Sequence, residues 1–108
     1  MALSKDEIIQ IVSRFLESLR QRHDIREAYL FGSSALGLAK DYSDVDLAIV
    51  LGSMEKSEDS PFDEAFNIFH EAQEYNSILE VVCFAQEDFA RNGGSLVRRI
   101  KKEGIKVM

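Results

Sequence analysis

Residues that can bind phosphate and metal ions occur at fixed spacing near the middle of the chain. The run AYLFGSSALGLAKDYSDVDLAIVL places Gly32 and Ser33 after one apolar segment and, after ten further residues, Asp44 and Asp46 at the start of another. Side chains at positions i and i+2 of a strand project from one face, about 6.5–7 Å apart. Asp44 and Asp46 would repel each other there unless a cation lay between them, and Mg²⁺ prefers hard oxygen ligands of this kind. The spacing is therefore compatible with a metal site, but taken alone it is weak evidence for one.

The Gly-Ser turn strengthens the case that the Asp-x-Asp pair belongs to a phosphate and metal site. Aspartates also collect at turns and strand ends, where they accept local hydrogen bonds, so the pair alone has a plain structural explanation. Gly32 allows a tight turn, and backbone amides at the start of a short helix, predicted from Ser34 to Leu38, commonly hold a phosphate. Other motifs do not fit. Leu38 occupies the lysine position of a Walker A loop, and the segment from Asp41 to Asp46 lacks the glycine and the distal glutamate of a calcium loop.

Glu80 is the one charged residue in the apolar run ILEVVCF, which predicts a strand from Ile78 to Phe84. A buried carboxylate without a partner is very costly. Two explanations stay open: Glu80 faces outward on an edge strand, or it completes a three-carboxylate cluster with Asp44 and Asp46. Three carboxylates can hold two metal ions about 3.5–4 Å apart, which together stabilise the attacking and leaving oxygens of an in-line phosphoryl transfer.

Apolar periodicity predicts the strands and helices that must position these residues. Ser4 and Glu7 fit a capping box at the start of the first helix. The segment from Leu47 to Leu51 shows no alternation, which is typical of a strand covered on both faces. The remaining predicted elements are a helix from Lys5 to Arg22, strands from Glu27 to Phe31 and Asp44 to Leu51, a helix beginning at Ser60-Pro61, a helix capped by Ser95 that runs through Lys102 and closes at Gly104, and an edge strand from Ile105 to Met108.

Several other side chains are interpreted as structural. An apolar stripe on the second long helix is assigned to the core, with cofactor binding as the lesser alternative; it comprises Phe62, Ala65, Phe66, Phe69 and Ala72. Cys83 is interpreted as a small buried hydrophobe, and His23 and His70 as ordinary helix residues. Four cations near the C-terminal end of the last helix suit its dipole and are interpreted first as a solvated face and second as a partner surface; they are Arg98, Arg99, Lys101 and Lys102.

Composition sets further limits. A chain of 108 residues, 45% hydrophobic and 30% charged, predicts one soluble globular domain over residues 1–108. No apolar run approaches the length of a membrane span, and the N-terminal residues lack a signal-peptide pattern, so a cytoplasmic location is expected. One cysteine excludes a disulfide framework. The net charge of −6 argues against general nucleic-acid binding, although metal ions would still allow the chain to hold a phosphate.

The combined pattern resembles the minimal nucleotidyltransferases of the DNA polymerase beta-like superfamily. The resemblance covers most of the chain and rests on Leu30-Phe31-Gly32-Ser33, Ser43-Asp44-Val45-Asp46-Leu47 and Leu79-Glu80-Val81-Val82. It implies an α/β fold with a mixed sheet flanked by helices, and transfer of a nucleotidyl group from a Mg²⁺-bound nucleoside triphosphate, ATP or another, with release of pyrophosphate. By the same likeness, Asp44, Asp46 and Glu80 are the catalytic acids and ligands of two Mg²⁺ ions, Glu80 helps to activate the acceptor hydroxyl, and Gly32 and Ser33 bind the triphosphate.

The resemblance also implies partners. Many relatives of this size look like the antitoxin of a two-protein module, whose partner is a small helical ribonuclease of the HEPN class that they bind and in some cases adenylylate. The family often has arginines just after the Gly-Ser pair, whereas this chain has Ser34 and Leu36, and its third acid is glutamate in place of the commoner aspartate. Lys40 is a candidate replacement for those arginines.

Two functions from different classes therefore stay open. The first is Mg²⁺-dependent transfer of a nucleoside monophosphate, AMP by preference, to a hydroxyl of a protein or small molecule. The second is a binding module that neutralises a partner by covering it. A metal-dependent glycosyltransferase with its own Asp-x-Asp is excluded by size, because 108 residues leave too little chain for a nucleotide-sugar domain and an acceptor site. A partner protein or a second copy of the chain is expected to complete the acceptor site.

Overall fold

The computed structural model describes residues 5–32, 45–52, 63–91 and 94–108. In chain order these residues form α1 (Lys5–Arg20), β1 (Ile25–Phe31), β2 (Val45–Leu51), α2 (Asp63–Tyr75), β3 (Leu79–Ala85), α3 (Gln86–Ala90), α4 (Ser95–Glu103) and β4 (Ile105–Lys106). None of the helices in these ranges has the length and apolar character needed to cross a membrane.

The strands form one mixed sheet in the order β3-β2-β1-β4. β1 runs antiparallel to both β2 and β4, whereas β2 and β3 are parallel. The C-terminal end of β1 and the N-terminal ends of β2 and β3 therefore meet at one end of the sheet, which is called the acidic end below because Asp46 and Glu80 lie there. The predicted mixed sheet with flanking helices is confirmed.

Helices cover both faces of the sheet. On one face α1 and α2 pack on the odd-numbered residues of β2, with Val12, Leu16 and Ile68 in the largest buried cluster. On the other face Phe89 of α3 and Ile100 of α4 pack on the even-numbered residues of β2. All five residues from Leu47 to Leu51 are buried, as predicted for a strand covered on both sides.

Several predicted boundaries were wrong by a few residues. α1 ends at Arg20, because the amides of Arg22 and His23 both turn back onto the carbonyl oxygen of Leu19. β1 begins at Ile25, which pairs with Leu51 across an irregular register. Ser95 is not the N-cap of α4 but its first residue, and the N-cap position is taken by Gly94, which has no side chain to bond the first amides of the helix. The short helix α3 was not predicted.

The predicted core stripe of α2 was partly wrong. Ile68 and Ala72, one helical turn apart, are fully buried against the sheet, whereas Phe66 and Phe69 are 61% and 39% exposed. Their rings lie against His70, with the Phe66 and His70 centroids 4.4 Å apart. The apolar residues of α2 span too wide an arc for all of them to face the sheet, and Ile68, which the prediction left out, occupies the centre of the buried face. Phe62 lies outside the described residues.

His23 has a structural role that the sequence analysis missed. It lies after α1, where its Nδ1 is 2.8 Å from Oε2 of Glu64 and its Nε2 is 3.3 Å from Oε2 of Glu71. Arg22 adds an ion pair of 2.8 Å to Glu71. These contacts join the segment between α1 and β1 to residues two helical turns apart on α2, so they fix how α2 lies against the rest of the fold.

We expect His23→Ala to lower the free energy of unfolding by about 1–2 kcal/mol, because it removes two part-buried polar contacts. Urea denaturation followed by circular dichroism would measure the change. His70→Ala is the matched control, since His70 lies on the exposed side of α2 and exposed substitutions usually stay within about 0.5 kcal/mol. Equal losses in the two variants would contradict the assigned role of His23.

Cys83 lies on β3, packed against the larger core cluster but only partly buried. Burial raises the pKa of its thiol to about 12, and the nearby Glu64 carboxylate adds to the increase. The thiol is therefore protonated at neutral pH, and it behaves as a small apolar group, as predicted, rather than as a nucleophile.

This pKa predicts a pH-dependent stability. The ordinary pKa of the thiol is 9.0 and the folded value is about 12, so between them the unfolded chain releases a proton that the folded chain retains. The stabilisation is complete below about pH 9 and is lost as the pH rises toward 12. The stability of the wild type should fall more steeply above about pH 9 than that of Cys83→Ala. Parallel slopes in urea titrations of the two proteins would show that the thiol does not contribute.

Candidate functional site

The acidic end of the sheet brings together three of the residues that the sequence analysis singled out. Asp46, in the second position of β2, pairs with Phe31 of β1 on one side and with Glu80 of β3 on the other. Gly32 follows Phe31 directly. Paired residues of neighbouring strands lie about 5 Å apart, so Asp46 and Glu80 are adjacent although 34 positions separate them in the sequence.

Asp46 and Glu80 share one face of the sheet. Alternation along β2 places Asp46 on the same side as Ala48 and Val50, which pack beneath α3 and α4. Asp46 is half-buried, whereas Glu80 is exposed on β3, the outer strand. The two explanations offered for Glu80 are thus compatible in this geometry: an edge strand keeps its carboxylate in water, and the register puts it beside Asp46.

Hydrogen bonds from α2 and β2 fix the start of β3. The Val45 amide donates to the carbonyl oxygen of Ile78 at 2.7 Å, and the Leu79 amide donates to the carbonyl oxygen of Asn76 at 3.0 Å. The side-chain amide of Gln73 donates to the carbonyl oxygen of Leu79. Ile78 and Leu79, the two residues before Glu80, are therefore held by hydrogen bonds to β2 and to the C-terminal end of α2. These bonds fix the register that pairs Glu80 with Asp46.

Gly32 packs against the Asp46 carboxylate. Its φ of +69° lies in the left-handed region, and a β-carbon built at this position would collide with Oδ2 of Asp46. Only glycine meets both requirements without strain. The turn after β1 and the acid at the start of β2 are therefore parts of one close-packed unit.

The other predicted site residues, Ser33 and Asp44, lie outside the described residues. Within the ranges that the structure does describe, no group of three His, Cys, Asp or Glu side chains is arranged to hold a metal ion. Asp46 and Glu80 supply two carboxylates on neighbouring strands, which is the donor chemistry that Mg²⁺ prefers. The residues present fit such an ion, and the assignment of Asp44 as a third ligand stays a prediction.

The sequence analysis did not place α4 near these residues. α4 covers the face of the sheet that carries Asp46, and its C-terminal end meets β1 next to the acidic end, because Ile105 of β4 pairs with Leu30. The signal for this placement was the predicted edge strand after Gly104. It did not specify which strand β4 would join.

Comparisons with known proteins agree with this geometry. A family model described as a nucleotidyltransferase domain matches residues 12–107. Among solved structures, a candidate nucleotidyltransferase from Sulfolobus solfataricus is similar with a TM-score of 0.58 at 15% sequence identity, covering 94% of this chain and 80% of that one. No curated protein is similar enough in sequence to give a match.

Two further structures are toxin–antitoxin pairs. One, solved with AMP-PNP, has a TM-score of 0.62 at 14% identity and covers 93% of this chain and 72% of its own. The other is a mutant of the toxin–antitoxin MntA-HpeT with two Asp-to-Glu changes two positions apart; its TM-score is 0.55 at 14% identity, covering 98% and 73%. At these identities the likeness shows a shared fold.

The packing of Gly32 leads to a prediction. Gly32→Ala should destabilise the fold by about 1–3 kcal/mol, since the left-handed φ and the collision with Asp46 both oppose a side chain. Gly94→Ala is the control: its φ is also positive, at +127°, but a β-carbon there has nothing within 4 Å. Thermal unfolding of both variants would separate backbone strain from the collision, and equal losses would argue against the close packing of Gly32 and Asp46.

Proposed function

The chain belongs to the nucleotidyltransferase domain family, and from that membership we propose that it transfers AMP from ATP to a hydroxyl of a partner protein. The observation that carries the proposal is the pairing of Asp46 with Glu80 beside the Gly32 turn. Two carboxylates from separate strands and a glycine turn are the parts that a triphosphate site with metal ions needs.

Asp46 and Glu80, together with Asp44 of the predicted Asp-x-Asp pair, would hold two Mg²⁺ ions. When bound, such ions supply positive charge that stabilises the attacking and leaving oxygens of an in-line phosphoryl transfer. Asp46 is the better suited to a fixed ligand role, because it is half-buried and packed against Gly32. Gly32 lets the backbone come close to the phosphates, and Ser33 would donate a hydroxyl to them.

Glu80 is suited to the proton transfer. Its carboxylate is exposed on the edge strand, so an acceptor hydroxyl from a second protein can reach it. In the proposed reaction the acceptor oxygen forms a bond to the α-phosphorus, the bond between that phosphorus and the oxygen of the β-phosphate breaks, and pyrophosphate leaves. The proton of the hydroxyl passes to Glu80, which helps to activate the acceptor.

A second candidate function rests on the toxin–antitoxin neighbours. Two of the similar structures are toxin–antitoxin pairs, which favours a protein partner, and we propose a small helical protein of the HEPN class. In this alternative the chain neutralises its partner by covering it and transfers nucleotide weakly or not at all. The AMP-PNP in one neighbour supports nucleotide binding in either case.

The carboxylates provide the decisive test. Replacing both aspartates, Asp44→Asn with Asp46→Asn, should lower transfer of label from α-labelled ATP to the partner by at least about 10²-fold, the usual scale for removing groups that stabilise a transition state. Glu80→Gln should also lower it. Asp88→Asn, an equivalent change at an exposed position of α3, should leave transfer unchanged. The partner to test is any small helical protein that the neighbouring reading frame encodes.

The same experiment separates the two candidates. Label on the partner, lost in the double variant, supports the transferase. A stable complex without label in the wild type supports the covering function. Unchanged transfer by a folded double variant, with circular dichroism matching the wild type, would remove these carboxylates from the mechanism.

A further inference from the structure

Positive charge in this acidic chain is concentrated on α4. The chain has 13 Lys and Arg against 19 Asp and Glu, yet four of the cations lie within the nine residues of Ser95–Glu103. All four are exposed, whereas Val97 and Ile100 of the same helix are buried against the sheet. The charged residues are Arg98, Arg99, Lys101 and Lys102. α4 is therefore the part of the described chain best able to attract an anion.

The topology directs the C-terminal end of α4 to the acidic end of the sheet. α3 begins where β3 ends, at the opposite end, so α4 runs back across the sheet face before β4 starts. Its last turn closes on Gly104, where a β-carbon would lie 3.2 Å from the carbonyl oxygen of Leu30. Leu30 is two residues before Gly32. The last turn of α4 thus lies beside the turn that packs against Asp46.

Lys101 is exposed and follows the buried Ile100, so it lies at the edge of the buried face of α4. Its Nζ is 4.9 Å from the ring centroid of Phe89, and the Phe89 ring lies 5.4 Å from that of Tyr29. Tyr29 is two residues, or about 7 Å along the strand, from Phe31, the register partner of Asp46. Arg99 is about 200° away around the helix and forms an ion pair with Glu103 at 3.3 Å.

We propose that Lys101 binds the phosphates of the nucleotide that the acidic end receives. The inference rests on the proposed function and extends it by naming the cation that α4 contributes. Lysine acts on phosphate as a compact point charge on a long flexible stem, and the ring contact with Phe89 holds the ammonium group over the sheet face that carries Asp46.

Electrostatics explain why such a cation is needed. A triphosphate approaching Asp46 and Glu80 meets two like charges, and the C-terminal end of α4 adds the negative end of a helix dipole. A lysine in the last turn of the helix offsets the dipole and presents positive charge on the sheet face that carries both acids. Arg99 lies on the other side of the helix, away from the sheet face that carries the acids, and does not serve this purpose.

The test compares two single-charge deletions on one helix. Lys101→Met keeps most of the aliphatic stem over Phe89 and removes the charge, Lys101→Arg keeps the charge, and Arg99→Met is the matched control. Isothermal titration in the presence of Mg²⁺ would give the Kd of each variant for ATP, inorganic tripolyphosphate and AMP. Lys101→Met should weaken ATP and tripolyphosphate about tenfold, the scale of one charge-assisted contact, and should weaken AMP much less.

Four results would overturn or separate the proposals. Equal ATP affinity in Lys101→Met and the wild type, or an equal loss in Arg99→Met, would overturn the role of Lys101 and leave the proposed function intact. Failure of Lys101→Arg to restore most of the affinity would overturn it as well. A folded wild type that binds neither ATP nor tripolyphosphate would overturn both proposals together.

Discussion

The position of β2 between an antiparallel and a parallel neighbour is the constraint on which the rest of the structure depends. It makes Asp46 the partner of Phe31 on one side and of Glu80 on the other, so a turn, an acid and a second acid meet although they are distant in sequence. A shift of one residue in either pairing would move every side chain of the shifted strand to the opposite face. Such a shift would bury Glu80 beneath α2 and expose apolar side chains, so the core that stabilises the fold also enforces the register of the site.

Burial explains where β2 can carry charge. From Leu47 onward the strand is covered on both faces, and an unpaired carboxylate there would cost several kcal/mol. Before Leu47, Val45 of this strand is buried and Asp46 is half-buried at the acidic end. Glu80 is exposed because β3 lies at the edge of the sheet. Because the apolar residues follow Asp46 in β2, the same strand packs in the core and presents a carboxylate at the acidic end.

The fold could be predicted from the sequence because local signals agreed with tertiary structure, whereas the proximity of Glu80 to Asp46 was one of two explanations that the sequence left open. Uninterrupted apolar runs identified the buried strands, and the isolated charge of Glu80 marked a position that had to reach solvent or a ligand. The prediction failed where contacts between elements distant in sequence determine the position of a side chain. His23 was interpreted as a helix residue, but its position depends on Glu64 and Glu71 of α2. The stripe of α2 was placed by counting apolar residues, whereas Ile68 sets the buried direction. The topology of β4 could not be predicted, since two residues carry no information about which strand they join.

The charge distribution of the chain limits how it can bind a phosphate-bearing ligand. With a net charge of −6, the chain repels a polyanionic substrate at long range, although screening limits that repulsion to about 10 Å at 0.1 M salt. Binding must then depend on cations within a few ångströms of the phosphates, supplied by metal ions at the carboxylates or by the protein. The sequence after Gly32 has Ser34 and Leu36 in the positions where the resemblance leads one to expect arginine, so a cation from the protein has to come from Lys40 or from another element. The helix α4 reaches the same end of the sheet because β4, which follows it, pairs with β1. The pairing of this short outer strand therefore decides where the cations of α4 lie relative to the acidic end.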